Sequence, residues 1–230
     1  LAIVLDCTGS MSSYLETCKT SIQELISDLG RFYPNIPLRL AFVGYRDHCD
    51  GANRLSVQRF TSDVEAWRRT VRAQTATGGG DGPEDVMGAL NVATTLEWEA
   101  PTRLIFHVAD APCHGTKYHN WGAGADSYPD GDPHGITPEN IIPGLQARNI
   151  IYFFGKLNNT TDKMITEFNR IAESGYIQTI PMSAAGELMG KITKSVTTAL
   201  TATVSRSSRT MDGHEEITTV TLDKTEPRWG

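Results

Sequence analysis

The sequence predicts a three-layer α/β sandwich: a mostly parallel central sheet with one antiparallel edge strand, and helices on both faces. Three observations predict it. Short apolar runs such as "LAIVLD", "RLIFHVAD" and "IIYFFG" have strand length without polar alternation, the mark of strands covered on both faces. Between them lie stretches with apolar residues at helical spacing, and strands alternating with helices build parallel sheets. The length, 230 residues with 39% hydrophobic residues, suits one domain with a sizeable core.

The elements follow in order. "LAIVLD" is the first strand, and "SSYLETCKTSIQELISDLGRFY" is a helix with Leu15, Cys18, Ile22, Leu25, Ile26 and Leu29 along one face. "LRLAFVGYRD" and "LSVQRFTS" read as two strands joined by the turn "HCDGAN", which supplies the antiparallel edge. A helix through "DVEAWRRTVRAQ" ends before the run Gly78–Gly80, and Pro83 is predicted in the first turn of a helix through "EDVMGALNVATTLEW". "RLIFHVAD" is a strand ending at Asp110, followed by a long polar loop over residues 111–136. "TPENIIPGLQARN" is a helix with Thr137 as cap and Pro138 at its first position. Strand "IIYFFG", helix "DKMITEFNRIAES", strand "YIQTIPM" and helix "AGELMGKITKSVTTAL" complete a domain over residues 1–204. Residues 205–230 form a polar tail, which alternates through Ile217, Val220 and Leu222 as an extra edge strand would.

Several function classes fall away on composition. A net charge of -6 gives no basic surface to displace counterions from nucleic acid. No apolar run approaches the ~20 residues that cross a bilayer, and no signal peptide is visible. The chain opens inside a strand, which implies residues upstream. Four scattered cysteines (Cys7, Cys18, Cys49, Cys113) are no disulfide scaffold and fit a reducing, cytoplasmic setting. Overlapping glycosylation triplets at Asn158 and Asn159 are too common by chance to change that reading.

The chemistry concentrates where strands end. In open α/β sheets ligands sit beyond the carboxyl ends of the strands, where the strand order reverses. Asp6 and Asp110 both close predicted central strands. In "DCTGSM", Asp6, Thr8 and Ser10 alternate along a turn, so their side chains can converge on one side. One carboxylate with two hydroxyls is an all-oxygen set suited to a hard cation such as Mg²⁺, with Mn²⁺ or Ca²⁺ as substitutes. The alternative role for Asp6 is capping of the first helix together with Ser10.

"DCTGSM" resembles the D-x-[S/T]-x-S motif of von Willebrand factor A (VWA) domains, the metal-ion-dependent adhesion site, or MIDAS. "HVADAP" is similar to that family's later aspartate loop, and residues 1–200 follow its element order. "AFVGYRDHCDG", "GGGDGPEDVMGAL" and "ADAPCHG" resemble the A domains attached to atypical alpha-kinases. The resemblance implies the Rossmann-like VWA fold and a non-catalytic, metal-dependent protein-binding module. Asp110 would join Asp6, Thr8 and Ser10, and the ion would accept an acidic residue from a protein partner. It would target or regulate an attached kinase.

The third motif departs from the family. Many A domains place a Thr after a Gly-Gly pair, whereas this chain has "TGGGDGPED". Asp81 or Gly80 stands nearest that position, with Thr77 as an outside candidate. Asp81 either ligates the ion, adding negative charge that weakens its hold on an acidic partner, or caps the helix starting at Pro83.

Other groups flank this site. His48-Cys49 and Cys113-His114 would permit a Zn²⁺ site, a disulfide or free side chains. Asp126, Asp130 and Asp132 in "DSYPDGDPHG" lack calcium-loop spacing, so the segment reads as a turn-rich rim, with Tyr118, Trp121 and Tyr128 as interface anchors. A metal-dependent phosphohydrolase using Asp6 is the competing function. That chemistry wants a second carboxylate where Thr8 stands, and a lysine that "FHVADAPCHG" lacks.

Overall fold

A computed structural model describes residues 1–172 and 175–182. The helix expected through "AGELMGKITKSVTTAL" and the tail from residue 205 lie outside the described residues. Within them, six strands form one sheet in the order β3-β2-β1-β4-β5-β6. The strands are β1 (Ala2–Asp6), β2 (Leu40–Tyr45), β3 (Leu55–Thr61), β4 (Arg103–Ala109), β5 (Ile150–Lys156) and β6 (Ile177–Pro181). Only the β2–β3 pair is antiparallel. This is the predicted three-layer architecture, with β3 as the antiparallel edge.

Helices α1 (Leu15–Phe32) and α2 (Val64–Arg72) cover one face, and α3 (Val86–Thr95), α4 (Pro138–Ala147) and α5 (Asp162–Ile171) the other. Strand β1 shows why the central strands carry no polar alternation. Ala2 and Val4 pack with α3, whereas Ile3 and Leu5 pack with α1, so every side chain of the strand is buried. Trp67 anchors α2 by filling the space over β2 and donating its indole N–H to the Ala41 carbonyl at 3.1 Å. His107 is a satisfied core histidine. Its two nitrogens meet the Tyr45 and Tyr152 hydroxyls at 2.9 and 2.7 Å, and burial pushes its pKa down to about 3.

One boundary differs from the sequence reading. Pro83 was expected inside the first turn of α3, with Asp81 as a possible cap; the helix begins at Val86, and Asp85 caps it by accepting the Gly88 N–H at 2.8 Å. Long-range backbone pairing explains the shift. Glu84 forms a parallel bridge with Cys113, its N–H donating to the Pro112 carbonyl at 2.9 Å. The Asp85 N–H donates to the Arg46 carbonyl at 3.1 Å. These bonds fix residues 84–85 against the loop after β4 in non-helical geometry, with Asp85 at φ −77° and ψ 55°, so the helix starts only at Val86.

The strand order reverses between β1 and β4. Chain leaving β1 and chain leaving β4 therefore part at a crevice beyond the carboxyl edge, where such sheets bind ligands.

Candidate metal centre

Asp6 is the last residue of β1, and the turn after it is held from the side. The Thr77 N–H donates to the Cys7 carbonyl at 3.0 Å, and the Gly9 N–H to the Gly78 carbonyl at 3.0 Å. Arg46 fixes the strip that lies alongside, its guanidinium donating to the carbonyls of Asn53, Thr75 and Thr77 at 2.9–3.0 Å. Gly78 and Gly79 have φ of +80° and +82°, a region that side-chain-bearing residues rarely enter.

On this platform four of the predicted residues form one continuous chain of oxygens. Asp6 Oδ1 accepts the Thr8 N–H at 2.9 Å and the Thr8 hydroxyl at 2.7 Å. Thr8 and Ser10 hydroxyls are 3.1 Å apart, and the Ser10 hydroxyl donates to Asp110 Oδ1 at 2.9 Å. The short helix from Gly9 has no side-chain cap, nor has α1, so Asp6 is not spent on capping a helix. Thr160 ties down the Asp110 carbonyl with its hydroxyl.

The set contains a deficit that a cation would remedy. Asp6 is fully buried, yet its Oδ2 has no hydrogen-bond partner. An unpartnered buried carboxylate costs several kcal/mol, which the molecule avoids by protonation or by pairing with positive charge. Burial, opposed by the two Thr8 hydrogen bonds and reinforced by Asp110, pushes the Asp6 pKa up to about 7. Burial also raises that of Asp110. Ionised carboxylates and neutral hydroxyls are hard-cation ligands, so the donor set fits Mg²⁺ or Mn²⁺.

Sequence reasoning missed a further carboxylate. Glu84 is 3% exposed and faces the Thr8 side chain, and its Oε2 is buried without a hydrogen-bond partner. Burial and the nearby Asp6 and Asp47 push its pKa up to about 10. A Cβ on Gly79 would lie 2.9 Å from Glu84 Oε1, so the glycine makes room for this side chain. The signal lay in "GPED", where only the pairing of residue 84 with the loop after β4 distinguishes Glu84 from its acidic neighbours. Asp81 is placed differently. Its carboxylate accepts the Ser127 N–H and lies in a neighbouring cluster with His114 and Asp126. Thr77 contributes only backbone bonds, and Gly80 brings no side-chain donor.

That neighbouring cluster pins the long loop. His114 sits between Asp126 Oδ1 at 2.7 Å and Asp47 Oδ1 at 2.8 Å, and His119 reaches Asp126 Oδ2 at 2.8 Å. Burial works against charge on His114, but the two aspartates outweigh it and raise its pKa. Asp126 is correspondingly held down to about 2 despite its burial, by His114 and His119. The two Cys-His pairs meet through their histidines alone, with the rings of His48 and His114 5.3 Å apart. All four cysteines are free; Cys113 is buried in the core and Cys49 is exposed, so their thiols share no site. Tyr118, expected as an interface anchor, is buried against Phe168 instead. Trp121 and Tyr128 are half-buried at the rim.

Comparison with known proteins agrees with this fold. A family model described as von Willebrand factor A domain matches residues 1–121. The alpha-protein kinase vwkA of Dictyostelium discoideum is 38% identical over 172 residues, 74% of this chain and 27% of the kinase. An ariadne-like RING finger protein of Acanthamoeba polyphaga mimivirus is 32% identical over 114 residues, 50% of this chain and 11% of that protein. The chain thus spans about a quarter or less of the length of these relatives. Among solved structures, the vWF domain of the type V pili tip protein Mfa5 from Porphyromonas gingivalis superposes with a TM-score of 0.56 at 13% identity, covering 85% of this chain and 94% of that one. The fold is therefore shared well beyond recognisable sequence. Domains of this kind generally mediate protein interactions rather than catalysis. The chain belongs to the von Willebrand factor A domain family.

Proposed function

We propose that this domain captures a protein partner through one divalent cation held by Asp6, Thr8, Ser10 and Asp110, with Glu84 in reach as a further ligand. The observation that carries the reading is the buried, partnerless Asp6 Oδ2 at the head of a continuous chain of oxygens. Cation uptake ionises carboxyls that burial keeps protonated, and so releases protons. Asp81, which the sequence offered as a ligand, serves to hold Ser127 in the rim. The partner presents an acidic side chain to the ion, between the exposed Gly78–Gly80 strip and the loop bearing Trp121. Glu84 adds negative charge beside the ion and weakens its pull on that side chain, so selection falls more on the rim.

The burial of Asp6 supports binding over phosphoryl transfer. Its Oδ1 is engaged by Thr8 and the residue is buried, which disfavours in-line attack on a phosphate. By likeness to the Dictyostelium kinase, the domain serves a cytoplasmic alpha-kinase as a targeting or regulatory module. Affinity capture from a source lysate tests the reading. Partners retained in millimolar Mg²⁺ should be lost in chelator and lost to Asp6→Ala; retention indifferent to both would overturn it.

A further inference from the structure

We propose that His48, Asp85 and Asp132 form a second cation site, suited to Zn²⁺, that clips the long loop to the body of the domain. The three residues come from separate segments: the turn after β2, the N-cap of α3 and the loop over residues 111–136. Their side chains are 4%, 0% and 2% exposed. One ligand atom from each lies within 4.8 Å of the others.

Geometry separates this trio from an ordinary ion pair. His48 Nε2 is 3.3 Å from Asp132 Oδ2 and 3.5 Å from Asp85 Oδ1. Neither contact has hydrogen-bond geometry: His48 Nε2 and Asp132 Oδ2 are both buried with no hydrogen-bond partner. His114 and His119, in the neighbouring cluster, dock on carboxylates at 2.7–2.8 Å in the usual manner. The imidazole of His48 instead points between its two carboxylates. Tetrahedral Zn²⁺ with bonds of about 2.0 Å sets its ligands about 3.3 Å apart, close to the 3.3 and 3.5 Å from His48 Nε2 to the two carboxylates.

Backbone N–H groups hold both carboxylates in place, as groups around a metal site do. Asp85 Oδ1 accepts the Gly88 N–H at 2.8 Å, and Asp132 Oδ1 accepts the His134 and Ile136 N–H groups at 2.8 and 3.2 Å. Arg54 is the competing cation. It donates to His48 Nδ1 at 3.0 Å and to His134 Nε2 at 2.8 Å, and its Nε lies 3.2 Å from Asp85 Oδ2. Because arginine can only donate, His48 carries its proton on Nε2 while this contact persists. Zn²⁺ uptake moves the proton to Nδ1 and turns Arg54, already 25% exposed, outward. Two carboxylates and one imidazole leave the fourth position to water.

Titration of the chelator-stripped 230-residue chain with Zn²⁺ in millimolar Mg²⁺, followed by calorimetry, tests this, with the visible absorption of bound Co²⁺ as a second readout. One equivalent of Zn²⁺ is expected, and it persists in Asp6→Ala, which separates the two sites. The near-isosteric Asp132→Asn should weaken Zn²⁺ at least about tenfold, and Arg54→Ala should tighten it. Circular dichroism confirms that each variant is folded. No Zn²⁺ uptake by the parent, unchanged uptake by a folded Asp132→Asn, or weaker uptake by Arg54→Ala would overturn the site.

Discussion

Asp6→Asn should stabilise the protein when no divalent cation is supplied. The Asp6 pKa is pushed from 3.8 to about 7, mainly by burial. A carboxyl whose folded pKa is raised costs nothing below pH 4, where both states are protonated. Stability then falls as pH rises through the window from about 4 to about 7, because the unfolded chain ionises first. About three pKa units at 1.36 kcal/mol each make the full cost roughly 4 kcal/mol above pH 7. Asparagine keeps an oxygen for the two Thr8 hydrogen bonds, but it sets an amide where Oδ2 has no hydrogen-bond partner, at a cost of about 1–3 kcal/mol. The net gain is therefore about 1–3 kcal/mol at about pH 8, a rise of a few degrees in Tm for a chain of this size. Thermal and urea melts in chelator at about pH 8 and about pH 4 measure it; at the acid end only the amide's cost remains, and the variant should be the less stable of the two. Adding Mg²⁺ should stabilise the parent and not the variant. A variant no more stable than the parent in chelator at the higher pH would refute the reasoning.

Further outcomes follow from other residues. Glu84→Gln should weaken Mg²⁺ at least about tenfold by calorimetry, whereas Asp81→Asn should leave it within about twofold, since Asp81 holds Ser127 rather than Thr8. Gly79→Ala should lower stability by about 1–2 kcal/mol in urea melts and weaken cation binding, because φ is +82° and its Cβ would crowd Glu84. Mg²⁺ affinity should rise with pH between about 6 and 8, with proton release that differs between buffers in calorimetry, because Asp6 ionises on uptake. Among the thiols, Cys49 alone should react in the native protein, and slowly, since burial and Asp47 raise its pKa to about 11; Cys7, Cys18 and Cys113 should appear only on unfolding.

The architecture was legible because its central strands are buried on both faces and its helices on one. Runs such as Leu1–Leu5 and the spacing of Leu15, Ile22 and Leu29 leave no competing period. The oxygen chain was legible too, because Asp6, Thr8 and Ser10 are local in sequence and a strand end directs them. The true start of α3 was not, since it depends on Glu84 pairing with Cys113 across 29 residues. For the same reason Glu84 hid among Asp81 and Asp85, its distinction being the partner strand rather than its own neighbourhood. The histidine–aspartate cluster likewise draws on residues 47–54, 81–85 and 114–134, separations over which periodicity carries no information.

Calorimetric titration of Mg²⁺ and Mn²⁺ into the chelator-stripped protein, alongside Asp6→Ala and Ser10→Ala, tests the central claim most directly. The account predicts one cation per chain in the parent, no uptake by Asp6→Ala, and weakened uptake by Ser10→Ala, whose hydroxyl joins Thr8 to Asp110. Absence of binding by the parent at millimolar metal, or undiminished binding by a folded Asp6→Ala, would contradict it.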